Sequence, residues 1–231
     1  MASQSKFLAL TLVVLILLPV AACGGKKTPS PVASPRATPS GTFREHWEAG
    51  REALAQGNVR MAIQELEQAA ELEPDRADVH FYLGNAYVTA GRLSDAERAY
   101  LRARELAPND QRIHSNLGVV YMQQQQFAKA ATAFEAGLTL APDDAPLHYL
   151  LGAAYLQQGK LNDAEKQFLK AKELDPNLPE TYYGLGALYR EQGKREDAIQ
   201  AFEHFLEIGP GQDPAAINHA QQQLQELRTG Q

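Results

Sequence analysis

The chain has 231 residues, a formal net charge of −6 and a single cysteine, so an intrachain disulfide framework is excluded. All 28 acidic residues follow residue 42, where only 18 Lys and Arg oppose them and leave a formal charge of −10. Binding to nucleic acid depends on clustered Lys and Arg that neutralise phosphates. The acidic part of the chain is therefore not expected to bind nucleic acid.

The first 22 residues have the composition of an export signal. Lys6 precedes an apolar run over residues 7–20, which is short for a membrane-spanning helix, and small residues follow up to Cys23. The sequence V-A-A-C resembles a bacterial lipobox, which implies that Cys23 is the lipid-attachment residue. We therefore expect residues 1–22 to be a lipoprotein signal peptide, and the protein to be anchored to the cell membrane or outer membrane of a bacterium. The alternatives are a soluble secreted protein and an uncleaved N-terminal anchor.

Residues 23–42 have the composition of a linker. They are rich in Pro, Ser, Thr, Lys and Gly and show no apolar periodicity. Such a composition is typical of a disordered tether with some extended polyproline character. We expect this tether to hold the rest of the chain away from a membrane surface.

From residue 43 onward the sequence repeats with a period of 34 residues, which is the signature of a repeat protein. The period predicts repeats over residues 43–76, 77–110, 111–144, 145–178 and 179–212. Its clearest column is proline, followed by glycine, alanine and aromatic or leucine columns at fixed offsets. The columns are Pro74, Pro108, Pro142, Pro176 and Pro210; Gly50, Gly84, Gly118, Gly152 and Gly186; Ala62, Ala96, Ala130, Ala164 and Ala198; and Leu66, Tyr100, Phe134, Phe168 and Phe202.

Each repeat contains two stretches of apolar residues at helical spacing, which predicts a pair of helices. In the second repeat the helices are expected at about residues 77–90 (helix A) and 93–106 (helix B). Gly91 is expected to cap helix A with a positive φ, and Pro108 to end helix B. The two small residues Gly84 and Ala96 are expected to face each other where the helix axes approach most closely.

Four of the five glycines lie in an L-G-x-x-Y motif, as in Leu83-Gly84-Asn85-Ala86-Tyr87. This pattern closely resembles the tetratricopeptide repeat (TPR) family over residues 43–212. The resemblance implies an all-α fold, a right-handed superhelix of five helix-turn-helix repeats. Asp213-Pro214 is a good helix start, and apolar residues at helical spacing follow it. Residues 213–231 are therefore expected to form a C-terminal capping helix and tail.

Histidine recurs with the same period, at the fourth position of helix A in four repeats. One interpretation is a metal-binding or pH-sensing ladder, and the other is a packing column. Neighbouring helices lie roughly 8–10 Å apart, whereas zinc needs nitrogens at about 2 Å, so packing is favoured. No other motif indicates catalysis, a cofactor or a metal, and we expect a protein that is not an enzyme. The column consists of His46, His80, His114 and His148, with Tyr182 in the fifth repeat.

The resemblance also implies a concave groove lined by helix A, which in the TPR family commonly binds peptides. Large apolar or aromatic residues at groove positions suggest a surface that receives an apolar or aromatic-bearing peptide. The alternative is that some of these side chains bury against adjacent repeats. The predicted groove residues are Trp47, Phe81, Tyr82, Asn85, Asn116, Met122, Tyr149, Leu156 and Tyr183.

One TPR subclass binds a C-terminal carboxylate with basic residues and two asparagines. Asn85 and Asn116 match those asparagines, but Phe81, Pro146 and Leu150 stand where basic residues are expected. Capture of a carboxylate by that arrangement is therefore not expected.

These features together predict a membrane-anchored scaffold of the bacterial cell envelope that binds a protein or peptide partner. The resemblance extends to envelope TPR lipoproteins that serve pilus, secretion or cell-wall machinery. Two alternatives stay open, namely a structural protein that associates with further copies of itself and an accessory subunit of an envelope enzyme complex.

Overall fold

The computed structural model describes residues 41–209 and 213–230. Cys23, the predicted signal peptide, nearly all of the predicted tether and Pro210 lie outside these ranges. Within them the chain forms eleven α-helices and no β-strand. The helices are α1 (Phe43–Ala55), α2 (Val59–Leu72), α3 (Ala77–Thr89), α4 (Leu93–Leu106), α5 (Gln111–Gln123), α6 (Phe127–Leu140), α7 (Ala145–Gln157), α8 (Leu161–Leu174), α9 (Pro179–Glu191), α10 (Arg195–Ile208) and α11 (Pro214–Thr229).

The first ten helices form five helical hairpins, so the predicted all-α repeat fold is confirmed. The chain divides into two compact units, with the boundary between Ile113 and His114 in α5. In the first unit α1 packs on α2 and α3 packs on α4, and α2 also contacts α3. In the second unit each helix from α6 to α11 contacts the next helix along the chain. Each hairpin therefore buries its apolar faces partly against its own pair and partly against a neighbour.

The glycine column allows helix A to approach an aromatic ring of helix B. A Cβ atom built on Gly152 would lie 2.7 Å from the Phe168 ring, and one on Gly186 would lie 2.8 Å from the Phe202 ring. Gly184 of the next hairpin would also come within 2.7 Å of Phe168, so that ring lies between two glycines. The equivalent partner of Gly84 is Tyr100, so at this position too an aromatic ring of helix B excludes a side chain on helix A.

The turn inside a hairpin uses a residue with positive φ at its centre. Glycine occupies this position in four hairpins, with φ values between 70° and 74°, and the prediction for Gly91 is confirmed. The third hairpin has Gln125 there instead, at φ 59°. Left-handed backbone is unfavourable for a residue with a Cβ atom, so this turn is the strained member of the set. The four glycines are Gly57, Gly91, Gly159 and Gly193.

The last helix is in phase with helix A of the preceding repeats. Asp213 caps α11 by accepting a hydrogen bond from the backbone N–H of Ala215, and Pro214 takes the first helical position. Ala220 stands 34 residues after Gly186 and is fully buried, as is expected for the small-residue column. Helix α11 covers the apolar side of α10, with which it is in contact.

Candidate functional site

The N-terminal aromatic surface, defined here as Phe43, Trp47, Arg51 and Tyr82, is a cluster of rings at the side of α1 and α3. The rings of Phe43 and Trp47 stack with centroids 6.3 Å apart. The rings of Trp47 and Tyr82 meet edge to face at 5.1 Å. All three rings are only half-buried, so they join helix packing and also present faces to solvent.

Arg51 links the two largest rings of this surface. Its guanidinium carbon lies 5.3 Å from the centroid of Trp47 and 5.2 Å from that of Tyr82, which is the range of cation–π attraction. Arg51 is exposed and follows Trp47 by four residues, so both side chains lie on one face of α1. The guanidinium therefore presents hydrogen-bond donors beside two apolar ring faces.

A solvent-open depression of about 500 Å³ adjoins the surface. Leu54, Ala55 and Tyr82 give it an apolar wall, while Glu48 and Glu52 supply carboxylates beside Arg51. Aromatic residues and arginine beside a few polar groups are typical of the anchor residues of protein interfaces.

The other rings of the predicted groove lie in the protein core. Tyr149 and Tyr183 have no exposed surface. The ring of Tyr149 lies 6.0 Å from that of Phe168, and Tyr183 packs at 5.3 Å against Phe205. Phe81, Met122 and Leu156 are also buried, with 8%, 3% and 3% exposure. These five residues are therefore buried against adjacent helices, as the alternative expectation stated. The repeat pattern alone does not show how much of the surface of helix A is covered by neighbouring helices.

The two predicted asparagines are half-buried. Asn85 accepts a hydrogen bond of 2.6 Å from the hydroxyl of Tyr100, which joins α3 to α4. Its side-chain oxygen therefore takes part in packing inside the hairpin. Trp47, Tyr82, Asn85 and Asn116 remain the members of the predicted groove whose side chains reach solvent.

In three repeats the residue of the histidine column ties the start of helix A to the preceding turn. Nε2 of His80 lies 2.8 Å from the carbonyl oxygen of Pro74, and Nε2 of His148 lies 2.9 Å from that of Pro142. In the fifth repeat Tyr182 donates its hydroxyl hydrogen to the carbonyl of Pro176 over 2.8 Å, so tyrosine performs the same bond. The column thus has a packing geometry, and among the described residues no cluster of three or more His, Cys, Asp and Glu is arranged to hold a metal ion.

A polar contact connects the fifth hairpin to the terminal helix. The hydroxyl of Tyr183 in α9 lies 2.6 Å from Nδ1 of His219 in α11. Burial raises the pKa of Tyr183 above its ordinary value. Burial, and secondarily the charge of Arg190, lowers the pKa of His219. Tyr183 therefore stays protonated and donates to a neutral imidazole near neutral pH.

The sequence pattern did not single out Arg51 or Phe43 as members of the surface. The signal that could have found Arg51 is its spacing of four residues from Trp47, the one tryptophan of the chain. Cation–π contacts of arginine recur in this unit, since Arg76 lies over the ring of Phe43 at 4.8 Å and Arg112 lies over that of Phe81 at 4.9 Å. Stacked arginine is thus a common feature of the aromatic residues in the first unit.

Family models match most of the helical part of the chain. Three models described as tetratricopeptide repeat match residues 53–117, 115–179 and 179–212. No curated protein matches the sequence. None of the helices in the described ranges combines the length and apolar character that crossing a bilayer requires.

Solved structures share the fold at low sequence identity. The structure of "MamA 41-end from Desulfovibrio magneticus RS-1" is 24% identical, with a TM-score of 0.69, and the match covers 74% of this chain and 97% of that one. The crystal structure of YrrB, described as "a TPR protein with an unusual peptide-binding site", is 21% identical, with a TM-score of 0.65 and coverage of 77% and 90%. At this identity the likeness concerns the fold.

Proposed function

Because the chain belongs to the tetratricopeptide repeat family, we propose that it is a protein-interaction scaffold whose N-terminal aromatic surface binds a peptide segment of a partner protein. The observation that carries this proposal is the contrast between the two sets of rings. The rings of Tyr149 and Tyr183 are fully buried by packing, whereas those of Trp47 and Tyr82 are partly exposed to solvent beside an open depression. Half-buried aromatic residues in such a setting are typical interface anchors.

The chemistry of the surface restricts the class of partner segment. The rings and Leu54 favour an apolar or aromatic side chain, and Arg51 offers donors to a carbonyl or carboxylate next to it. YrrB, which has the same fold and is described as having a peptide-binding site, supports a peptide ligand as the general type.

We further propose that the scaffold is exported and attached to a membrane of the bacterial envelope through a lipid on Cys23. The support is the leader itself, in which a basic start, an apolar run and a small-residue ending precede the single cysteine. Two or more acyl chains would be needed for durable attachment. Mass spectrometry of the mature N-terminus tests this part: a lipid-modified Cys23 supports it, and an intact Met1 or an unmodified Cys23 refutes it.

The binding proposal is tested by photo-crosslinking in cells of the source organism. A photoreactive amino acid replaces Ala55, which is exposed at the rim of the depression, and captured proteins are identified by mass. The double variant Trp47→Ala, Tyr82→Ala should lower specific capture by about tenfold or more, because two interface anchors are lost.

Tyr189→Ala is the matched control, since Tyr189 is also half-buried but belongs to α9 in the other unit. Equal capture by the double variant and the wild-type chain would contradict the proposal. If the captured protein is a second copy of this chain, the mass of the purified protein should rise with concentration, and the self-associating alternative is then supported.

A further inference from the structure

The N-terminal aromatic surface lies next to the point where the described chain begins. Thr42 caps α1 with its side-chain oxygen accepting from the N–H of Glu45, and the side chain of Glu45 accepts from the N–H of Thr42 at 2.8 Å. This capping box fixes where residues 24–40 leave the helical domain. Phe43, the first residue of α1, already belongs to the surface.

The segment that precedes this point has a composition suited to aromatic surfaces. Residues 28–39 read T-P-S-P-V-A-S-P-R-A-T-P and contain four prolines. Proline-rich segments bind to grooves lined by aromatic rings, because their extended helix is stiff before binding and loses little conformational entropy. Trp47 and Tyr82, whose rings meet edge to face, provide such a lining.

The charges of the two elements are also complementary. Residues 24–42 carry Lys26, Lys27 and Arg36 and have no acidic residue. At the depression itself Glu48 pairs with Arg44 at 2.8 Å and Glu52 accepts a hydrogen bond from Gln56 at 3.0 Å. The complementary charge is therefore that of the chain from residue 43 onward, which has a formal charge of −10.

The segment is long enough to return along α1. Leu54 stands eleven residues after Phe43, which corresponds to about 17 Å along the helix axis. Twelve residues in an extended polyproline helix span about 37 Å. Gly41, with φ 142°, supplies a bend immediately before the cap that residues with a side chain rarely adopt.

We infer that the segment of residues 28–39 binds the N-terminal aromatic surface of its own chain, so that an external peptide must displace it. This inference uses the surface named in the proposed function, yet it concerns a ligand that is covalently present. Attachment through a few residues gives the segment an effective concentration in the millimolar range, so weak contacts suffice. The segment would then act both as a tether and as a competitor that sets the affinity threshold for partners.

The test uses the fluorescence of Trp47, the single tryptophan of the chain, in the full-length protein purified in detergent. A variant in which the four prolines are replaced (Pro29→Ser, Pro31→Ser, Pro35→Ser and Pro39→Ser) should expose the indole. We expect a shift of its emission to longer wavelength and an increase of about twofold or more in the acrylamide quenching constant.

The control variant keeps the prolines and changes four neighbouring polar residues (Ser30→Ala, Ser34→Ala, Thr38→Ala and Ser40→Ala). It should match the wild type in emission and quenching, and equal helical circular dichroism should show that all three proteins are folded. Added in trans, a free peptide of residues 26–40 should reverse the change in the proline variant with a saturable dependence on concentration.

Identical quenching of Trp47 in the wild type and the proline variant would overturn the inference, as would a free peptide that has no effect at millimolar concentration. Either result leaves the proposed function intact if Trp47→Ala, Tyr82→Ala still abolishes crosslinking to a partner. Conversely, the double variant could capture as much protein as the wild type while the proline variant shows the expected change in Trp47 fluorescence. That combination would refute binding of a partner protein at this surface and support binding of residues 28–39.

Discussion

The hydroxyl of Tyr183 donates to Nδ1 of His219 across 2.6 Å and joins the last complete hairpin to the terminal helix. This bond requires an unprotonated Nδ1, which the lowered pKa of His219 favours near neutral pH. Protonation places a hydrogen on both ring nitrogens, and the tyrosine hydroxyl then loses its acceptor. The attachment of α11 therefore depends on pH through one pair of side chains.

Acidification should weaken the chain through His219. The folded state binds this proton less readily than the unfolded chain, so the stabilising contribution is complete above the ordinary pKa of 6.5 and is lost as the pH falls through the lower folded value. We expect urea unfolding between about pH 7.5 and 5.0 to show a loss of about 1 kcal/mol that His219→Gln reduces. His204→Gln is the control, because the side chain of His204 is 40% exposed and pairs with Glu207 of its own helix at 3.3 Å. An equal effect of both variants would contradict the prediction.

A methyl group at Gly152 should disturb the fourth hairpin. The added Cβ of Gly152→Ala would lie 2.7 Å from the ring of Phe168, and relief by ring movement is limited by Gly184 on the other side. We expect a loss of about 1–3 kcal/mol in the free energy of unfolding, measured in urea.

A double-mutant cycle can show whether the contact with the ring, and not the loss of glycine as such, causes the destabilisation by Gly152→Ala. Phe168→Leu should recover part of the cost of Gly152→Ala, since the smaller side chain leaves room for the methyl group. Gly159→Ala serves as the reference, because no atom lies within 4 Å of its added Cβ and its cost comes from φ +72° alone. Additive costs for Gly152→Ala and Phe168→Leu would show that the ring contact is not the cause.

The strained turn of the third hairpin offers a stabilising substitution. Gln125 has φ 59° at the position where the other four hairpins have glycine. Gln125→Gly removes the left-handed strain while adding some entropy to the unfolded chain, and we expect a net gain of about 0.5–1 kcal/mol in urea unfolding. Gln124→Gly, at negative φ in the same turn, should instead destabilise, and a gain for that variant would point to a cause other than φ.

The aromatic residues of helix A should separate into two energetic classes. Tyr149→Ala removes a fully buried ring and should lower the free energy of unfolding by about 3–5 kcal/mol. Trp47→Ala removes a half-buried ring at the edge of the first hairpin and should cost about 1 kcal/mol, which leaves the fold intact for binding measurements. Similar costs for the two variants would show that Trp47 is a packing residue and would remove it from the candidate site.

The repeat pattern predicts the helices well because several independent local signals coincide at each boundary. For the second hairpin it predicts residues 77–90 and 93–106, and the structure has Ala77–Thr89 and Leu93–Leu106. A positive-φ glycine and a proline limit these helices, and both act through the backbone of their immediate neighbours. Helix boundaries that depend on such local signals can be predicted from a single sequence.

The candidate site is predicted less completely, because it depends on which surfaces neighbouring helices leave uncovered. Helical spacing places Tyr149 and Trp47 at the same position of helix A, yet one is fully buried and the other half-buried. The difference arises from contacts with rings far along the chain, such as Phe168 beside Tyr149. Spacing likewise shows that the glycine column needs a small residue, but it does not identify the aromatic ring that approaches each glycine.

The two kinds of turn in this chain are both closed by hydrogen bonds, one from a side chain and the other from the backbone. Between hairpins, a ring at the fourth position of helix A holds a carbonyl six residues earlier, as His80 does with Pro74, so the length of that turn is fixed by a bond. Within hairpins, a backbone hydrogen bond closes the turn, as in the bond of 2.8 Å from the N–H of Arg92 to the carbonyl of Tyr87. An insertion in either kind of turn would therefore break a hydrogen bond, and lineages of this protein should conserve the length of both turns.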